Sequence, residues 1–299
     1  MWFNNGLIYH CQQETPISLS QSLAEDYLKP CPPHARFIYG WLPTVDDDLV
    51  HEVSGGCLIA LGKEERILPR GVINRLLNEQ IAALEAQRGY PVKRSERSQL
   101  AEELEFQLLP KAFCLQKRLF ALIDDATNRL MINTASANQA SQLISLLRKS
   151  APSLHIEPLL NIQNLSATLT AWVKHPETLP ASLELAAHCV LTAPDDDTKR
   201  FTCKGYELPA DEVLNLLDQG LAVTEVALIW QDRIELTLTE DFVFKRVKCL
   251  DYLVDQFNDI RQLDDHRGQQ DASLMLLTGE WRALVNDLMK AFSQSDHQA

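Results

Sequence analysis

The stretch Arg70-Gly71-Val72-Ile73-Asn74-Arg75-Leu76-Leu77-Asn78-Glu79-Gln80-Ile81-Ala82-Ala83-Leu84 sets Ile73, Leu76, Leu77, Ile81 and Leu84 at the i, i+3, i+4 spacing of one helix face, and Gly89 followed by Pro91 stops the pattern. A second stripe, Leu100, Leu104 and Leu108, runs to Pro110. Between the two sits Lys93-Arg94-Ser95-Glu96-Arg97, so the pair reads as a helical hairpin with a basic tip. On either side the chain shows short strand-like runs: Gly6 to Tyr9, Arg36 to Tyr39 and Cys57 to Leu61 before it, Leu119 to Ile123 and Arg129 to Thr134 after it. The link Asp124-Asp125-Ala126-Thr127-Asn128 has hairpin-turn chemistry. Strand runs without a regular βαβ alternation predict an α+β fold of mixed sheets with packed helices and a protruding helical hairpin.

Further along, Ser136 can cap a helix carrying Leu143, Ile144 and Leu147 that closes on Arg148-Lys149. The two-proline stretch His175 to Pro180 is the best boundary, with the helix around Trp172 just before it. Beyond it, Leu183 to Thr192, Phe201 to Tyr206, Val223 to Trp230, Ile234 to Thr239 and Phe242 to Val247 read as strands. Gln231-Asp232 suits a two-residue hairpin, Val213 to Leu217 a short helix ended by Gly220, and Leu250 to Phe292 further helices. The chain thus divides into residues 1–69 with 119–174, an inserted hairpin over 70–118, and residues 175–299.

The 299 residues hold 28 Lys and Arg against 41 Asp and Glu, a net charge of −13, with 45% hydrophobic and 23% charged residues. That suits a soluble globular protein of about two domains. No run of eighteen apolar residues and no secretion signal occur, which predicts a cytoplasmic protein with no membrane partner. The cysteines, Cys11, Cys31, Cys57, Cys114, Cys189, Cys203 and Cys249, include no Cys-x-x-Cys pair, so reduced thiols are expected in place of a disulfide framework or zinc site. An acidic average also argues against nucleic acid as a partner, although local fields can oppose it.

A search for chemistry finds no phosphate-cradling glycine loop and no Gly-x-Ser-x-Gly elbow. The carboxylate groups Asp46-Asp47-Asp48, Asp124-Asp125 and Asp195-Asp196-Asp197 are expected in solvated turns, since adjacent side chains point apart and gather poorly on one ion. Pro194-Asp195 with Asp197-Thr198-Lys199 hints at a nuclease site, but its halves are nearly contiguous and a turn explains them better. The eight histidines are never three or four apart. No catalytic residue, metal or cofactor is therefore assigned.

What remains are cationic islands. Residues 88–118 hold Arg88, Lys93, Arg94, Arg97, Lys111, Lys117 and Arg118 against Glu96, Glu102, Glu103 and Glu105. Lys199, Arg200 and Lys204 form a second island, and Lys245, Arg246 and Lys248 a third. Each is read either as a solvated face or, if the fold aligns them, as a phosphate-binding surface on which an acidic remainder focuses binding.

Particular strings, in order along the whole chain, carry a resemblance: Trp2-Phe3-Asn4-Asn5-Gly6-Leu7-Ile8-Tyr9, Lys63-Glu64-Glu65-Arg66-Ile67-Leu68-Pro69, Leu108-Leu109-Pro110-Lys111-Ala112-Phe113, Leu146-Leu147-Arg148-Lys149-Ser150, Leu169-Thr170-Ala171-Trp172-Val173, Ala227-Leu228-Ile229-Trp230-Gln231-Asp232-Arg233-Ile234, Phe244-Lys245-Arg246-Val247-Lys248 and Leu277-Thr278-Gly279-Glu280. With them the sequence resembles the RdgC family of bacterial recombination-associated proteins. The resemblance implies a non-catalytic, nucleoid-associated protein that encircles double-stranded DNA as a ring-shaped homodimer, without sequence specificity, and restrains RecA-promoted recombination. It implies centre (1–69, 119–174), tip (70–118) and base (175–299) parts, with the tips meeting across the dimer near Phe113. By alignment it points to Lys93, Arg94, Arg97 and Lys204 as DNA-facing positions, and Lys63, Arg66, Lys117 and Arg118 stand beside them as candidate DNA contacts. Gly205-Tyr206 follows Lys204 where the family pattern has another cation and a Gln, which makes Tyr206 a candidate for hydrogen bonding or stacking. The competing readings are a core aromatic for Phe113, a solvated turn for Lys63 and Arg66, and for the whole chain either a carboxylate- and metal-dependent DNA-processing enzyme or an acidic protein–protein adaptor.

Overall fold

A computed structural model describes residues 2–13, 18–159, 165–205 and 207–295. The elements run β1 (Leu7–Gln13), α1 (Leu19–Ala24), β2 (Phe37–Leu42), β3 (Val50–Val53), β4 (Gly56–Arg66), α2 (Arg70–Arg88), α3 (Arg94–Leu108), β5 (Cys114–Asp124), β6 (Arg129–Ile132), α4 (Ala137–Ser150) and β7 (Leu154–Pro158). They continue with α5 (Leu165–Lys174), β8 (Leu183–Ala193), β9 (Asp196–Lys204), α6 (Asp211–Asp218), β10 (Ala222–Trp230), β11 (Ile234–Thr239), β12 (Phe244–Cys249), α7 (Asp251–Arg261) and α8 (His266–Ser295). The fold is α+β, as expected. One sheet is ordered β2-β4-β5-β6-β1-β7, with β3 also on β4, and the other β12-β11-β10-β8-β9.

The expected mixed sheets are corrected: every ladder between described strands is antiparallel. Tight turns explain the ladders between consecutive strands, because a two-residue link such as Gln231-Asp232, with φ of 50° and 54°, can only reverse the chain. One face of the first sheet, with Trp41, Ile59, Leu61, Leu130 and Ile132, buries the Ala140, Leu143, Ile144 and Leu147 stripe of α4. Ser136 caps that helix, its hydroxyl accepting from the Gln139 amide at 3.4 Å.

The opposite face, through Ile8, Leu58, Leu122 and Met131, shares one core with α8 and the inner face of the second sheet, through Leu277, Trp281, Leu228, Leu236 and Phe244. α5 belongs to this second core by contact, with Trp172 stacked on Phe292 at a centroid distance of 5.1 Å. The halves are further joined where residues 4–6 add to the edge of β12: Gly6 and Phe244 exchange backbone bonds of 2.8 and 2.9 Å. Gly6 cannot be replaced cheaply, since a Cβ there would lie 2.6 Å from the Trp281 ring.

Two strands are longer than their apolar signal. β5 begins at Cys114, not Leu119, because the β4–β5 ladder runs on past the core as an arm whose Cys114 to Arg118 are all exposed. β9 begins at Asp196, not Phe201, as a polar edge strand. The turn expected over Asp195 to Asp197 therefore contracts to Pro194-Asp195, and the final Tyr206 of the expected strand lies outside the described residues. At the end of the arm α2 and α3 pack on each other through Ile73, Leu77, Ile81 and Leu104. Gly89 closes α2 in the left-handed region at φ 75°.

Candidate nucleic-acid interface

The hairpin places Lys93 at the N-terminal boundary of α3, with Arg94 and Arg97 on its first turn, all three exposed. Arg97 donates to Asn78 Oδ1 at 2.9 Å and Arg88 pairs with Glu96, whereas Lys93 and Arg94 make no ion pair among the described residues.

The arm holds a second group. Lys63 stands directly opposite Lys117 across the β4–β5 ladder, a repulsive placement in itself. Glu65 relieves it by pairing with both, with Lys117 at 2.6 Å, and these hydrogen bonds, Lys117 first, hold its carboxyl below the usual range. The Lys63 ammonium lies 4.9 Å from the centre of the Phe37 ring, and the Arg118 guanidinium 5.7 Å from that of Phe120. Arg66 is differently employed: its guanidinium donates to the carbonyls of Pro32 (3.2 Å), Leu109 (3.0 Å), Ala112 (3.3 Å) and Cys31 (3.0 Å). It ties the foot of the hairpin to the sheet, in place of the solvated turn that was its competing reading.

The third group is the polar face of the second sheet, which joins the second and third cationic islands. Register puts His188 opposite Lys204 and Thr192 opposite Arg200, while Glu225 faces Thr239 and Thr237 faces Lys245. Arg200 and Lys245 both pair with Glu225, Lys245 at 3.1 Å, and Arg246 approaches it at 3.8 Å while donating to Thr237 Oγ1 at 3.3 Å. Adjacent strand residues normally point to opposite faces; Lys245 and Arg246 share one because the register slips between Glu235 and Thr237 and Arg246 takes φ 54°. Burial alone would raise the Glu225 carboxyl, but the bonds from Lys245 and Arg200 outweigh it and hold the group low. Burial, and then Arg246, lower His188, whose Nδ1 lies 3.1 Å from the Cys203 carbonyl oxygen. A cleft of about 530 Å³ opens beside this face, lined by Arg200 and Lys245, by the carboxylates Glu225, Glu240 and Asp241, and by Ala135 and Ala137 near the start of α4.

Phe113 is 86% exposed, and Leu115 two residues on and Ile67, whose backbone bonds to that of Phe113, are exposed too, so the core reading of this aromatic does not hold within one chain. Its backbone is ordered by the Ile67 amide, which donates to the Phe113 carbonyl at 2.8 Å. Among the carboxylate groups, Asp124 departs from the expected solvated turn: it is fully buried and held by Arg282, Nη2 to Oδ1 2.6 Å. No group of three or more His, Cys, Asp or Glu side chains among the described residues is placed to hold a metal ion. No helix among them is long and apolar enough to cross a membrane.

Sequence reading had named Lys204 but not Arg200, Lys245 or Arg246 as site residues; the islands were its only signal, and pairing them required β10 and its Glu225. A family model described as "Putative exonuclease, RdgC" matches residues 1–295. Curated relatives named recombination-associated protein RdgC, from Yersinia pestis (strain Pestoides F) and Yersinia pseudotuberculosis serotype O:3 (strain YPIII), are each 35% identical over 297 residues, covering 97% of this chain and of theirs. One from Yersinia enterocolitica serotype O:8 is 34% identical over the same length and coverage.

Proposed function

We infer, since the chain belongs to the RdgC family of recombination-associated proteins, that it binds double-stranded DNA through phosphates, without sequence preference and without cleaving it. The observation that carries this reading is the second sheet's polar face, where Arg200, Lys245 and Arg246 gather around the one carboxylate Glu225, with Lys204, Thr192, Thr237 and Thr239 on the same face. Cations and hydroxyls are the groups that contact phosphate oxygens, and such contacts carry register and affinity but no sequence information. With a chain charge of −13, repulsion elsewhere confines the duplex to this face, the exposed Lys93, Arg94 and Arg97, and the arm cations Lys63, Lys117 and Arg118.

The exposed Phe113 supports a homodimer closed at the hairpin end, and two copies holding one duplex between centre, tip and base parts give the ring. In that arrangement the protein restrains RecA-promoted recombination by occupying the duplex, as a cytoplasmic, nucleoid-associated factor.

Salt titration tests the reading. Each neutralised phosphate steepens log K against log salt by about 0.9, so Lys204→Ala and Arg97→Ala should each flatten the slope by about 0.9 to 1.8 in a dimer and weaken unrelated duplexes alike. If both leave the slope and the affinity unchanged, these groups are solvated faces. Magnesium-dependent shortening of linear duplex would instead favour the DNA-processing enzyme, and no retention of DNA at low salt the adaptor.

A further inference from the structure

On the core side of the second sheet, opposite the polar face, Cys189 of β8 stands directly across from Cys203 of β9. We propose that these two cysteines are a redox-responsive dithiol, which small disulfides of the glutathione class convert into a cross-strand disulfide that fastens the edge strand β9 to the sheet.

The geometry carries the proposal. Directly opposed residues of an antiparallel pair have Cα atoms about 4.5 or 5.5 Å apart, depending on the type of pair. Both values lie inside the roughly 4.4–6.8 Å window that a disulfide spans without backbone movement. The ladder is regular here, its one shift lying farther along, between Thr192 and Ala193, so nothing displaces the pair from this register. Among the described residues β9 is an edge strand paired only with β8, so a covalent link adds a constraint that its single ladder does not supply. Cys31 and Cys114 offer no such arrangement: Cys31 lies outside every strand and its thiol donates to the Ala35 carbonyl at 3.4 Å.

The two sulfurs have different roles. Cys189 is fully buried, and burial first, then Cys203, pushes its thiol up to about 12, whereas Cys203 is half-buried and can be reached from solvent. The Cys203 thiolate attacks one sulfur of oxidised glutathione, forming a mixed disulfide and releasing one glutathione thiolate. The Cys189 thiol then attacks the Cys203 sulfur, its proton passing to the departing glutathione sulfur, so that the second glutathione leaves as the thiol. Two protein thiols are oxidised and one glutathione disulfide is reduced to two glutathiones. The reaction involves no DNA, so it stands or falls separately from the reading of the polar face.

The test is to incubate the full-length folded chain with oxidised glutathione, block remaining thiols with N-ethylmaleimide, and map the peptides by mass spectrometry. The expected result is a chain lighter by about 2 Da before blocking, with Cys189 linked to Cys203, reversed by dithiothreitol and lost in Cys203→Ser and in Cys189→Ala. Cys203 is only half-buried, so Cys203→Ser serves as the control even if Cys189→Ala fails to fold. A glutathione adduct that persists on Cys203, a link to any other cysteine, or two thiols that both remain free to react with maleimide would each overturn the proposal.

Discussion

Glu225 concentrates the electrostatics of the polar face at a single side chain. It is 8% exposed and paired with Arg200 and Lys245, so replacing it with Gln leaves crowded cations with weaker partners. Glu225→Gln should destabilise the fold by about 1–3 kcal/mol, read from chemical denaturation. The pH dependence identifies the cause. Because the carboxyl titrates below its usual value in the folded chain, its stabilisation is complete above roughly pH 4.3 and is lost as pH falls through the lower folded value. The wild type should therefore lose its advantage over Glu225→Gln in that acid window; an advantage constant with pH would show that the pairing is not the source. Arg66 makes the complementary case, since its partners are neutral carbonyls. Arg66→Ala should cost about 1–3 kcal/mol and leave the salt slope of DNA binding unchanged; a flattened slope would return it to the phosphate contacts.

Among the elements, the hairpin is the most nearly self-contained, because the buried contacts of α2 and α3 are mainly with each other. Leu77, 3% exposed, sits at the middle of that small core. Leu77→Ala should cost the hairpin about 2–5 kcal/mol. The loss should appear as faster proteolysis and amide exchange across residues 70–108 while the sheets stay protected; uniform loss across the chain would show that the hairpin and sheets unfold together. The hairpin was legible because each helix buries one stripe at period 3.6 between clear stops. The first half of β9 and the arm of β5 were not, because a strand with an exposed polar face need not alternate apolar and polar residues. Backbone pairing with a distant strand holds such segments, and a local window does not contain the partner.

For the whole molecule, the decisive contact is the one between the first sheet and the C-terminal helix. Arg282 of α8 reaches Asp124 through both Nε and Nη2, and Nη2 also donates to the Gly55 carbonyl at 3.1 Å. Asp124 is 0% exposed, so Arg282→Ala leaves a buried carboxylate with the Ala126 amide and Thr127 hydroxyl but without its paired guanidinium, and should cost about 3–5 kcal/mol. Calorimetry should show a lower Tm; an unchanged Tm would mean that water replaces the guanidinium without loss. At the other end of the molecule, Phe113→Ala removes a ring that is 86% exposed. It should leave the unfolding of one chain unchanged but weaken dimerisation by about 2 kcal/mol or more in sedimentation, whereas a less stable monomer with unaltered association would count against a Phe113-centred contact.

Residues 70–110 determined their own structure, because helix periodicity and breakers are local properties that a short window contains, as is the Ser136 cap of α4. The same holds for the Gln231-Asp232 reversal, and the ordered strings along the chain were enough to carry the family resemblance. Three things were decided only by the tertiary structure: the union of Arg200 with Lys245 and Arg246 on one face, the burial of Asp124 by Arg282, and the diversion of Arg66 to carbonyls. Each depends on groups brought together from 20 or more residues apart by sheet register or helix packing. A charge's role follows from what lies within a few ångströms of it, because both its desolvation and its pairing fall off over that distance, and only the completed fold supplies those neighbours.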